Sequence, residues 1–106
     1  MNSDAKTLII IPTFNEEYNI RNLIEKIKES LENRVFSILI VDDNSQDATA
    51  KIVKEMQIDM QNLYLLERGG KYGLASAYID GFKYGADLQM RIPILISMIL
   101  FLSAGE

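Results

Sequence analysis

Apolar positions along the chain fall into two alternating patterns. Continuous, largely β-branched runs recur at Thr7-Leu8-Ile9-Ile10-Ile11, Phe36-Ser37-Ile38-Leu39-Ile40-Val41 and Leu63-Tyr64-Leu65-Leu66-Glu67. Runs of this kind predict strands covered on both faces. Between them the period changes. Ile20, Leu23, Ile24, Ile27 and Leu31 recur at helical spacing, with Glu25, Lys26, Lys28, Glu29 and Glu32 between them. That predicts an amphipathic helix. Asn15 is its expected N-cap, with Glu16 and Glu17 in the first turn, and Asn33-Arg34 ends it. A second helix is predicted from about Asp47 to Met56, with Ala48, Ile52, Val53 and Met56 inward. Gly69-Gly70 breaks the third strand, and a third helix runs from near Gly73 to Tyr84. Strand–helix alternation of this kind predicts an α/β fold: a Rossmann-like parallel sheet with flanking helices and right-handed crossovers.

The last stretch departs from this rhythm. Between Arg91 and Glu106 there is no charge, and Ile92 to Leu102 is almost wholly apolar. A membrane span needs about 20 apolar residues, so this run is too short. It predicts a fourth strand; the alternative is an exposed apolar tail, which would tend to aggregate.

Composition narrows the chemistry. A chain of 106 residues with 48% hydrophobic positions suits one packed domain. It has no cysteine, which excludes disulfides and thiolate metal sites, and no histidine, the commonest general base. Acid–base or metal chemistry must therefore use Asp and Glu. A net charge of −4 argues against nucleic acid as a partner. An anionic ligand would need a local cation or a metal ion. Met1 leads into polar residues, with no signal-peptide pattern.

Two strand ends concentrate the candidate chemistry. Pro12-Thr13-Phe14-Asn15-Glu16 follows the first apolar run, and Val41-Asp42-Asp43-Asn44-Ser45-Gln46-Asp47 ends the second. In open α/β sheets, ligands bind outside the carboxyl ends of the strands. Asp42 and Asp43 cannot both enter an apolar core unpaired, so at least one is expected to face a ligand. The alternative is that they only cap the next helix, the role expected of Asp47. Pro12 should end its strand. Phe14 could lie against a base or plug the core. Glu16 could reach a ligand or serve only the helix N-terminus. Glu67-Arg68-Gly69-Gly70-Lys71-Tyr72-Gly73-Leu74-Ala75 places glycines before a helix start, a candidate anion site. Lys71 or Arg68 could touch a phosphate there; a solvated basic turn is an equal reading for Arg68. The pattern is neither G-x-G-x-x-G nor a Walker loop.

Taken together, these two segments and Lys71-Tyr72-Gly73-Leu74-Ala75-Ser76-Ala77-Tyr78 resemble the amino-terminal half of family 2 glycosyltransferases of the GT-A fold. The third segment, continued through Gly81-Phe82-Lys83, most resembles the dolichol-phosphate or polyprenol-phosphate mannosyltransferase branch. The resemblance covers about residues 6 to 87. It implies transfer of mannose from GDP-mannose to a polyprenyl phosphate, with inversion. It also implies nucleotide-sugar contacts from Pro12, Phe14, Glu16, Val41 and Asp43, with Lys71 as a candidate phosphate contact. Phe14 stands where Tyr is usual, so a contact from that hydroxyl is lost. Asn44 stands where Gly is common, and Asn tolerates a left-handed backbone.

The intact family follows its third helix with a strand ending in Asp-x-Asp, which holds Mg2+ or Mn2+ on the diphosphate. This chain has no two acidic residues separated by a single position, so those ligands are absent. From Leu88 onward it does not match. The expected organisation is a nucleotide-sugar-binding half over 1–87 and a divergent apolar tail over 88–106, arising from truncation or a frame shift. A cytoplasmic location is expected, including a peripheral one at the cytoplasmic face of a membrane. The alternative is a non-catalytic nucleotide-binding or interaction module derived from the same fold. A phosphoacceptor receiver domain is disfavoured, because the acidic pair follows the second strand. A sheet this small should leave an exposed edge open to association.

Overall fold

The structure is a computed structural model that describes residues 7–70, 72–88 and 94–96. Seven elements alternate along the chain: β1 (Thr7–Thr13), α1 (Ile20–Ser30), β2 (Phe36–Asp43), α2 (Thr49–Gln57), β3 (Leu63–Arg68), α3 (Leu74–Asp87) and β4 (Ile94–Ile96). The four strands form one sheet in the order β3-β2-β1-β4, and every pair is parallel. The chain steps outward from β1 to β3, then crosses back to place β4 on the other side of β1. The order reverses between β1 and β4, the point at which such sheets open a crevice for ligands.

The unbroken apolar runs are explained by cover on both faces. Ile9, Ile11, Ile38 and Ile40 meet Ile20 and Ile24 of α1 and Val53 and Met56 of α2. Leu8, Ile10, Leu39 and Val41 point the other way, toward Ala77 of α3. Alternate residues of each strand thus serve opposite cores, so neither strand has a polar face to show. The partly buried Leu23, Ile27 and Leu31 complete the inner stripe of α1.

α3 lies against the sheet through small residues. A Cβ built on Gly81 would stand 2.9 Å from both Cδ1 and Cγ2 of Ile10, and one on Gly85 would stand 2.6 Å from Cδ2 of Leu8. The absence of side chains at these two positions is what lets the helix backbone approach.

The strand ends differ from the sequence expectation. β1 and β2 each continue two residues further than their apolar runs. Pro12 does not end the first strand but sits inside it, paired with Val41. Among the described residues the β1–β4 pairs run from Leu8 to Ile10. Asn15 is not the N-cap of α1. The helix begins at Ile20, Asn19 precedes it, and no acidic residue lies in its first turn. Asn15 instead takes a left-handed conformation, φ 54°. α2 begins at Thr49 and α3 runs on to Asp87. Of the segment Ile92 to Leu102, Ile94–Ile96 form β4; the remainder lies outside the described residues.

Candidate functional site

The carboxyl ends of β1 and β2 lie side by side, in register at Pro12 with Val41 and at Thr13 with Asp42. Asn15 and Asn44 occupy matching positions just beyond, and both have positive φ, 54° and 57°. Asn visits this region at low cost because its short amide can bond locally. The repeated bend turns both loops the same way, and side chains then join them.

Asp42 is the floor of this joint. It is 2% exposed, yet both its oxygens are satisfied. Oδ1 accepts from Thr13 Oγ1 and Ser45 Oγ, each at 2.6 Å, and Oδ2 accepts from the Ser45 N–H at 2.9 Å. Above it, the Asn15 N–H donates to Ser45 Oγ and the Gln46 N–H donates to Asn15 Oδ1. The Glu16 N–H donates to Thr49 Oγ1, and the Ala48 N–H donates to Glu17 Oε1. Asp42 therefore holds the corner together and does not face a ligand.

Asp47 satisfies the start of α2, as its acidity near a helix N-terminus suggests. Oδ1 accepts from the Thr49 N–H at 2.9 Å and from Thr49 Oγ1, while Oδ2 accepts from the Glu17 N–H. Burial alone would push this carboxyl up, but the bonds from Thr49 and Glu17 together outweigh it and hold the group below its ordinary 3.8. A carboxylate with a depressed native pKa adds stability above its unfolded value and loses it as pH falls through the native one. Urea unfolding midpoints at pH 5 and pH 3 are therefore expected to fall more in the native chain than in Asp47→Asn. An equal fall in both would remove Asp47 from the acid response.

Asp43 has a different partner. It is 7% exposed and paired with a guanidinium. Arg68, at the end of β3 beside it in register, grips it as a fork, with Nε to Oδ1 at 2.6 Å and Nη2 to Oδ2 at 2.9 Å. Nη1 reaches Ser76 Oγ and Asp80 Oδ2 of α3, each at 2.8 Å, and Nη2 also reaches the Gly73 carbonyl at 3.3 Å. An arginine has five N–H donors, and all five are used. The hydrogen bond to Asp43 above all, and those to Asp80, push its already high pKa further up against the opposing effect of burial.

Arg68 is thus neither a solvated basic turn nor a ready phosphate contact. At 8% exposure it is an internal cation tying β2, β3 and the start of α3 together. Tyr72 lies over it, with Cζ 5.2 Å from the ring centroid, a cation–π arrangement. Sequence reasoning did not find this role, nor the linking roles of Thr13, Ser45 and Thr49.

The other expected site residues divide by position. Pro12 and Val41 are buried beneath the two loops; Phe14 and Glu16 are half-buried at the rim. Lys71 lies outside the described residues. Gly73 ends the segment before α3 at φ 94° and ψ 162°, a region open essentially to glycine alone. Among the described residues no group of three or more Asp and Glu side chains could hold a metal ion. Asp42 is buried and accepts three hydrogen bonds, and Asp43 is already paired with Arg68, so this part of the molecule does not fit a divalent cation. Nor, among the described residues, is any helix long and apolar enough to cross a membrane.

Known proteins resemble this chain in sequence and in fold. The chain is 33% identical over 94 residues to the polyprenol monophosphomannose synthase of Mycolicibacterium smegmatis, covering 88% of this chain and 34% of that protein. It is 30% identical over 113 residues to a dolichol-phosphate mannosyltransferase of Mycosarcoma maydis, covering 92% and 38%. It therefore spans little more than a third of the length of these relatives. A mannosyltransferase from Pyrobaculum calidifontis, solved in complex with GDP-Man and Mn2+, superposes with a TM-score of 0.65 at 24% identity, covering 74% of this chain and 24% of that one. That likeness shows the fold: the sheet and its helices are those of the Rossmann-like amino-terminal part of a GT-A glycosyltransferase. The family model described as glycosyl transferase family 2 matches residues 8–87, and the chain belongs to that family.

Proposed function

We propose that residues 1–87 form the donor-binding half of a mannosyltransferase that takes mannose from GDP-mannose and passes it to a polyprenyl phosphate. The observation that carries this reading is the joined corner at the carboxyl ends of β1 and β2. Pro12 and Val41 are in register there, Asp43 ends the second of these strands beside them, and hydrogen bonds across the loops fix the two ends as one unit. The strand order reverses beside the same loop of β1, where sheets of this kind are expected to bind ligands. Phe14 supplies apolar surface for the nucleoside, Pro12 and Val41 support that corner from beneath, Asp43 and Glu16 supply acceptors, and Lys71 is the candidate cation for the diphosphate.

In the transfer, the bond from the sugar's anomeric carbon to the diphosphate breaks and a bond to the acceptor phosphate oxygen forms. That oxygen is already anionic, so no general base is needed and the lack of histidine is no obstacle. Among the described residues no metal cluster is present, so no step is assigned to an ion here. A place in the cytoplasm, or at the cytoplasmic face of a membrane where such an acceptor lies, belongs to this reading. Residues 88–106 stand outside the donor-binding half.

Isothermal titration of the purified chain with GDP, GDP-mannose and UDP, with and without Mg2+, tests the proposal, with circular dichroism confirming the fold. Binding of GDP without metal is expected, weakened about tenfold or more in Asp43→Asn, the usual loss for a charged hydrogen bond. A folded chain that binds none of these nucleotides would sink the reading in favour of a non-catalytic interaction module.

A further inference from the structure

Asp43 is held in an orientation that limits what it can read. The Arg68 fork takes one lone pair on each carboxylate oxygen, at 2.6 and 2.9 Å. The Tyr72 N–H approaches Oδ2 at 3.4 Å. An ionised carboxylate has about four acceptor positions, and among the described residues the one left clear is on Oδ1. The fork is also hard to displace, because Arg68 is itself held by Ser76, Asp80 and Gly73.

A guanine base offers two adjacent donors, a ring N–H and an exocyclic amino group. Reading both needs two oxygens side by side, and that paired edge of Asp43 is occupied by Arg68. We infer that Arg68 is a specificity-setting positioning residue: it turns the paired edge of Asp43 inward and leaves a single oxygen to accept one ring N–H from the base. The inference rests on the donor-binding reading above. It follows that Asp43 does not distinguish guanine from hypoxanthine, which keeps the ring N–H and lacks the amino group.

Titrating the full chain with GDP and with IDP tests this. Affinities within about fivefold of one another are expected, whereas a carboxylate that read both donors would favour GDP by about tenfold to a hundredfold. A GDP preference of that size that vanishes in Asp43→Asn overturns the inference. A preference that persists in Asp43→Asn assigns the amino group to another contact and leaves Asp43 with its single acceptor. In Arg68→Lys the ammonium cannot form the fork, so the second oxygen is released and the GDP:IDP ratio is expected to rise about tenfold. An unchanged ratio in a folded Arg68→Lys chain overturns the positioning role. If that variant does not fold, the native ratio still decides what Asp43 reads. Failure to bind either nucleotide removes the donor-site reading itself, and this inference falls with it.

Discussion

Arg68→Met is expected to lower folding stability by about 3–5 kcal/mol, the range for removing one partner of a buried ion pair. Methionine keeps much of the length and packs against the same neighbours, so the loss reports charge and hydrogen bonding rather than volume. Asp43, 7% exposed, would keep only the Tyr72 N–H at 3.4 Å. Asp80 is less affected, since its side chain is 41% exposed and can hydrate. Urea unfolding of the two chains at neutral pH checks the expectation. A loss below about 1 kcal/mol would place the pair among ordinary surface ion pairs. The double variant Arg68→Met, Asp43→Leu separates the causes, because it removes both charges and should recover most of the loss.

Gly81→Val is the second large effect, with an expected loss of about 2–3 kcal/mol from overpacking. The new Cβ would meet Cδ1 and Cγ2 of Ile10 at 2.9 Å. Ile10 is fully buried between α3 and the sheet. Its Cγ2 is fixed on a branched carbon, so it has little room to retreat. Gly85→Ala provides the contrast. Its single close contact is Cδ2 of Leu8, the end of a flexible side chain, and alanine is favoured over glycine within a helix by about 1 kcal/mol. Thermal melts should therefore place Gly85→Ala well above Gly81→Val. The reverse order would show that α3 does not rest on Ile10.

The layout of strands and helices was legible because each β-branched run is long enough to serve two cores. What the apolar pattern could not show was where the strands stop. Thr13, Asp42 and Asp43 look like loop residues, yet the ladder continues through them. Their polar atoms are satisfied by partners far along the chain: Thr13 by Asp42, 29 residues on, and Asp43 by Arg68, 25 residues on. The same distance hid the work of Arg68, whose fork depends on β3 lying in register with β2. Asn15 was misplaced for a related reason. Its side chain could have capped a helix, but its bonds to the second loop hold it away from α1. The two site corners were legible as a pair, because each follows a strand. That Asp42 serves as mortar between them, and that Asp43 pairs with Arg68 instead, depends on side-chain directions that spacing does not encode.

β1 precedes both of its neighbours in the sequence and finishes inside the sheet, with β2 on one side and β4 on the other. While the chain leaves the ribosome, β2 can dock within a short stretch of synthesis, but the flank that receives Ile94–Ile96 stays bare until that distant segment has been made. That flank belongs to Thr7–Thr13, a strand without a single charge, the kind of template on which foreign strands add. The nascent chain therefore carries its own hazard from the making of β1 until that of β4. Slower production, or a chaperone that shields this strand, would protect it more than any gain in the strength of the finished fold.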